Sequence, residues 1–205
     1  MDKNYTVVET SKLAAVYGGA HLYSVIADED IQNGSIGFIG LRAKDVEGQE
    51  TYEFGIFDAD TLGKKKAVLV ANPEWDYDEC HRTNQALYNY INEAGKVFRA
   101  YDLIDNDKFA LSASGFDASG VDSIEEDQYV ILAADATTLK IVATEAETEG
   151  AGFVGIIEGK AKRGYGWTAK NGKTYGRPSV IYWVRVLKND VVSATAATVD
   201  ETTGA

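Results

Sequence analysis

Few side chains in this sequence have the type and spacing to do chemistry. Cys80 and His81 are neighbours, and a thiol activated by an imidazole would be a nucleophile. Adjacent residues, however, send their side chains apart on a strand or a helix. The other histidine, His21, has no companion at metal-ligand spacing. A single cysteine rules out both an intramolecular disulfide framework and a thiolate-rich zinc site. Three acidic runs, EWDYDE (74–79), DLIDND (102–107) and DSIEED (122–127), offer carboxylates to a cation. None has the ligand ladder and central glycine of an EF-hand loop, so they read as solvated turns. The carboxylate pair of a glycosidase is spaced in three dimensions, and nothing in the sequence promotes one. There is no G-x-S-x-G elbow, P-loop, dinucleotide fingerprint or H-E-x-x-H. The expectation is a protein that is not an enzyme, with no catalytic residues, no cofactor and no metal site.

The distinctive chemistry is instead one of charge. Residues 158–188, EGKAKRGYGWTAKNGKTYGRPSVIYWVRVLK, hold eight basic residues against the single acid Glu158, a charge of +7. Taking that +7 from the formal net charge of −12 leaves −19 on the rest of the chain. Asn171-Gly172 suits a tight reversal, with Ile156-Ile157 on one side and the run Val180 to Val184 on the other reading as strands. The pattern predicts a long β-hairpin with a basic, aromatic tip. Arg, Tyr and Trp are the residue types enriched at interface hot spots. The candidate interface residues are Lys162, Arg163, Tyr165, Trp167, Lys170, Lys173, Tyr175 and Arg177. Tyr182 and Trp183 read as core, and the plainer alternative for Arg177 and Arg185 is that they satisfy local acids. A +7 projection on a −19 body also favours association between copies.

The same cations and rings would suit a single-stranded nucleic acid, with phosphates neutralised and bases stacked, but the acidic body opposes its approach. A carbohydrate platform built on Tyr165, Trp167 and Tyr175 is a further alternative.

The elements that must position this hairpin read as β almost throughout. Alternating or short apolar runs at 34–40, 50–58, 64–72, 97–103, 108–114, 128–134, 139–146, 152–161 and 179–188 are separated by turn residues. The spacing predicts an all-β fold of antiparallel barrel or sandwich units. One short helix is expected near 79–94, where Leu87, Tyr90 and Ile91 have helical spacing and Gly95 is placed as a C-terminal cap. Residues 1–24 read as an extended arm, 25–95 as a first β unit, 96–189 as a second carrying the hairpin, and 190–205 as a tail. The length of 205 residues and 45% apolar content allow a packed core. No apolar run approaches a membrane span, and the first residues lack the apolar stretch of a signal peptide.

Two segments, NEAGKVFRAYDLIDNDKFALSASGF (92–116) and GAGFVGIIEGKAKRGYGW…GKTYGRPSVIYWVRVLKN (150–189), resemble small structural proteins of tailed bacteriophages. The resemblance implies an auxiliary or decoration protein bound to the capsid surface of the virion and synthesised in the bacterial host cytoplasm. The partners it implies are the major capsid protein and copies of itself, with neither membrane nor nucleic acid expected. It brings no catalytic residue with it.

Overall fold

A computed structural model of the chain describes residues 4–44, 50–74, 87–121, 123–164, 167–168, 170–172, 174–175 and 179–192, with 167–168 and 174–175 in backbone alone. Strands dominate. The first eight are β1 (Val8–Lys12), β2 (Leu22–Ile26), β3 (Ile31–Gln32), β4 (Ile36–Arg42), β5 (Thr51–Gly55), β6 (Val68–Val70), β7 (Ile91–Asn92) and β8 (Phe98–Asp102). The others are β9 (Lys108–Ser112), β10 (Phe116–Asp117), β11 (Tyr129–Leu132), β12 (Leu139–Val142), β13 (Phe153–Arg163), β14 (Trp167–Thr168), β15 (Thr174–Tyr175) and β16 (Ser179–Asn189).

Most of these strands belong to two assemblies, while β3 with β7 and β14 with β15 form separate two-stranded pairs. A closed five-stranded barrel runs in the order β2-β5-β4-β6-β8, and a seven-stranded sheet runs β1-β9-β16-β13-β11-β12-β10. Nearly all pairs are antiparallel; β2 with β5 and β10 with β12 are parallel. The all-β expectation is met.

Side-chain alternation explains how the two assemblies join. In β6, Val68 and Val70 face the barrel interior with Val25, Phe54 and Phe98, whereas Leu69 faces out. It does so with Ile36 and Phe38 of β4, into a second core shared with Phe109, Leu111, Val184 and Val186 of the sheet. Each fully buried Leu or Phe contributes about 1.5–3 kcal/mol, so barrel and sheet are held as one body by this shared layer. In β9, Phe109 and Leu111 enter the shared core while Ala110, between them, joins Val7 and Ile181 on the sheet's other face. Period-two patterning legible in KFALS is thus spent on two different cores.

The N-terminal arm lies on its own chain: β1 pairs with β9, Val8 opposite Leu111, at the edge of the large sheet. Its Leu13 is fully buried. The one α-helix among the described residues, α1 (Ala14–Tyr17), follows it, held by the buried carboxylate of Asp107, which accepts from Ala14 N at 2.9 Å and from Ile104 N at 3.0 Å. Of the helix expected near 79–94, residues 79–86 lie outside the described residues, and the rest is not α-helix. Leu87–Asn89 form one 3-10 turn and Ile91–Asn92 form β7, paired with β3. Long-range hydrogen bonds override the local spacing there. Asn92 Nδ2 donates to the Ile31 carbonyl and to Asn33 Oδ1, and Asn72 Nδ2 donates to the Tyr90 hydroxyl. Gly95 has φ 71° and sits in a turn after β7. The chain passes from barrel to sheet after β8, through residues 103–107, rather than at Gly95.

Candidate protein-docking hairpin

The expected hairpin is present. β13 and β16, eleven residues each, pair antiparallel from Phe153↔Asn189 to Arg163↔Ser179. Beyond them, Trp167↔Tyr175 and Thr168↔Thr174 form a separate two-stranded tip around the reversal, where Gly172 has φ 76°. That positive φ is what the Asn-Gly signal anticipates.

The hairpin has a rooted half and an overhanging half. Among the described residues, β9 pairs with β16 at Ile181 to Arg185, and β11 pairs with β13 at Val154 to Ile156. Ile157 still exchanges backbone hydrogen bonds with Asp127 and Gln128, just ahead of β11; beyond it, among the described residues, β13 keeps β16 as its one strand partner, and the hairpin runs out past the edge of β11.

A bulge marks the transition. Ile157 opposes Val184 and Gly159 opposes Trp183, so Glu158 is an extra residue in β13. One inserted residue reverses which face each later side chain meets. Ile157 accordingly enters the shared core, whereas Ala161, four residues on, packs against Val7, Ala110 and Ile181 on the opposite face.

Glu158 is also the electrostatic pivot of the root. Its two carboxylate oxygens accept from Lys108 Nζ at 2.6 Å and from Arg185 Nε at 2.5 Å. The Lys108 hydrogen bond, reinforced by Arg185 and opposed by burial, holds the Glu158 carboxyl below the usual carboxylate range. In the sequence Glu158 is the odd acid in a basic run, and its isolation among eight cations is the signal of a structural role.

The candidate interface residues fall into distinct groups. Lys162 and Lys170 are exposed and pair with no acid among the described residues, as does exposed Lys160. Arg163 is half-buried and already engaged, with Nε 3.6 Å from Glu9 and Nη1 3.6 Å from Glu74. The backbones of Trp167 and Tyr175 face one another across the tip ladder. Tyr165, Lys173 and Arg177 lie outside the described residues. Tyr182 packs against the shared core, edge-on to Phe116. Trp183 flanks the outer cluster, with Lys12 Nζ 4.2 Å from its ring centre. Arg185 is bound to Glu158, a local acid.

These features define a class: a barrel fused to a large sheet, with a basic hairpin overhanging its edge. No protein-family model, curated protein or solved structure matches the chain. Among the described residues, no group of three or more His, Cys, Asp and Glu is gathered where it could hold a metal.

Proposed function

We propose that this chain is a non-enzymatic structural protein that docks on an acidic protein surface through the overhanging half of the β13–β16 hairpin. The expected setting is the virion of a tailed bacteriophage, as an auxiliary protein on the capsid, with the major capsid protein and copies of itself as partners. The observation that carries the reading is the division of the hairpin. Its root is packed into two cores and has Arg185 and Lys108 bound to Glu158, while Lys160, Lys162 and Lys170 are exposed without an acid partner among the described residues. Unpaired cations on a supported arm favour an electropositive docking element on an otherwise acidic body. The resemblance of residues 92–116 and 150–189 to phage structural proteins supplies the setting.

The test is particle composition. The protein is expected in purified virions at a fixed ratio to the shell protein, and a Lys162→Ala/Lys170→Ala double variant is expected to fold normally but occupy particles poorly. Absence of the wild-type protein from particles overturns the setting. Full occupancy by the double variant overturns the hairpin's role.

A further inference from the structure

The overhanging half of the hairpin leaves a strand edge open. Ser112 N donates to the Val7 carbonyl, toward β1. Its cross-strand neighbour Ile181 therefore turns its backbone groups the other way, to Ala161 of β13. Alternation then aims the amides and carbonyls of Lys160 and Lys162 away from β16, where they have no partner among the described residues. They stand in the line that β11 fills at the root.

The two faces of this segment differ. Ala161, Ile181 and Trp183 are packed in the outer cluster with Val7 and Ala110. On the other face Lys160 lies opposite Tyr182 and Lys162 opposite Val180, and Val180 is exposed. Between that face and the loop ahead of β11 is a cleft of about 460 Å³, with Ile124, Glu125, Glu126, Lys160 and Tyr182 in its lining. An open edge above a partly apolar cleft suits an extended chain, which can bond along β13 and lower alternate side chains toward Tyr182 and Ile124. Charge decides which chain. Two such edges pairing about Ala161 would set Lys160 against Lys162 in both directions, and like charges there are unfavourable. Glu126 lies beside Gly159, at the inner end, so an incoming acid belongs at the outer end, beside Lys162.

Residues 193–205, SATAATVDETTGA, lie outside the described residues and carry the acids Asp200 and Glu201 with no basic residue. On a strand Val199 and Glu201 share one face, which supplies an apolar group for the cleft and a carboxylate for Lys162. We infer that this segment of one copy adds as a strand to the Lys160–Lys162 edge of a second copy, with Val199 over Tyr182 and Glu201 beside Lys162. A chain's own segment falls short of its own hairpin. Val192 N is bonded to Gly63 at the root, next to Gly152. From there Val199 reaches about 23 Å fully extended, whereas Lys160 is about 26 Å from Gly152 along β13. The chain also leaves β16 heading away from the overhang. The inference rests on the overhang being the docking half, and it names a second copy as what that half holds.

The test is sedimentation of the full chain over a concentration series, with hydrogen exchange read residue by residue. Association is expected to rise with concentration and to slow exchange at the Lys160 and Lys162 amides. Lys162→Glu and Glu201→Lys are each expected to weaken it about tenfold or more, because like charges then meet. Lys162→Glu/Glu201→Lys together are expected to restore it. Wild-type protein that stays monomeric overturns the proposal. So do association without protection of those amides, protection that does not depend on concentration, a charge swap that restores nothing, and association undiminished in a chain cut after Val192. Lys170, beyond this edge, is not expected to affect self-association. A monomer that occupies particles fails this inference alone, whereas a self-associating chain absent from particles fails the proposed function alone.

Discussion

Asn189, at the end of β16, uses its side-chain amide to complete the hydrogen bonding of Ala67. Its Oδ1 accepts from Ala67 N at 2.9 Å, and its Nδ2 donates to the carbonyls of Ala67 at 2.9 Å and Leu103 at 2.8 Å. The large sheet thus supplies a ladder partner to the segment entering barrel strand β6, where the barrel backbone has run out of neighbours. All three bonds are buried. Asn189→Ala leaves one amide and two carbonyls without partners and is expected to destabilise the fold by about 3 kcal/mol. Urea denaturation of the purified chain measures this. A loss below about 1 kcal/mol, the net worth of one ordinary hydrogen bond, would mean that water replaces the amide at this junction.

Inside the barrel wall, Phe38 lies directly opposite Gly55 in the β4–β5 ladder. A Cβ on Gly55 would collide with the Phe38 ring, as one on Gly37 would with the ring of Phe54. The rings cannot yield freely, because Phe38 is edge-on to Phe57 at 5.2 Å and Phe54 edge-on to Phe98 at 5.8 Å. Gly55→Ala is therefore expected to destabilise by about 1–3 kcal/mol, the range for overpacking, despite the general preference for alanine over glycine in a strand. Thermal denaturation gives the sign. An Ala variant more stable than wild type would show that β4 and β5 can separate to admit the methyl.

The strand runs were legible because this fold spends alternation on two cores. TYEFG and KFALS announce β5 and β9 without help from tertiary structure. The hairpin was legible for the same reason, with Asn171-Gly172 supplying the reversal. By contrast, VETSK carries little apolar signal, and β1 becomes a strand because β9 offers it an edge. Leu87, Tyr90 and Ile91 have helical spacing, but the side-chain amides of Asn72 and Asn92 pull that segment into pairing with β3. The bulge at Glu158 was beyond reach, since it exists only as a mismatch between two strands.

The ion triad at the hairpin root gives the protein a defined response to acid. The folded-state carboxyl of Glu158 is held below its ordinary range, first by Lys108 and then by Arg185. A depressed folded-state pKa contributes stability that is fully present above the unfolded carboxylate range. That contribution is lost as pH falls from there through the folded value. With its side chain 30% exposed, the triad is partly screened, so the contribution at neutral pH is expected to be about 1 kcal/mol or less. Glu158→Gln should lower stability by that amount at neutral pH, and the difference from wild type should vanish in acid. Unfolding free energies of both chains measured across the acid range give the curve. A difference that stays constant with pH would assign the effect to hairpin geometry rather than charge.

The hairpin's cations divide into those that support it and those free to dock. Arg163 sits between Glu9 of β1 and Glu74, 3.6 Å from each, with its side chain 28% exposed. Lys162, its neighbour, is exposed and meets no acid among the described residues. Pairs at this distance and exposure are worth no more than about 1 kcal/mol, so Arg163→Ala should lower the unfolding free energy only slightly. Its effect on docking should also be small, because its charge is already answered within the chain. Lys162→Ala/Lys170→Ala should do the reverse, leaving stability unchanged while slowing association with particles and flattening its dependence on salt. Exposed charges act over a Debye length of about 8 Å at physiological ionic strength, and rim charges act chiefly on association rate. Association rates for the three proteins at low and high salt decide the matter. If Arg163→Ala lost salt-dependent association while the lysine pair retained it, the docking surface would be the Glu9–Arg163–Glu74 cleft rather than the overhanging strands.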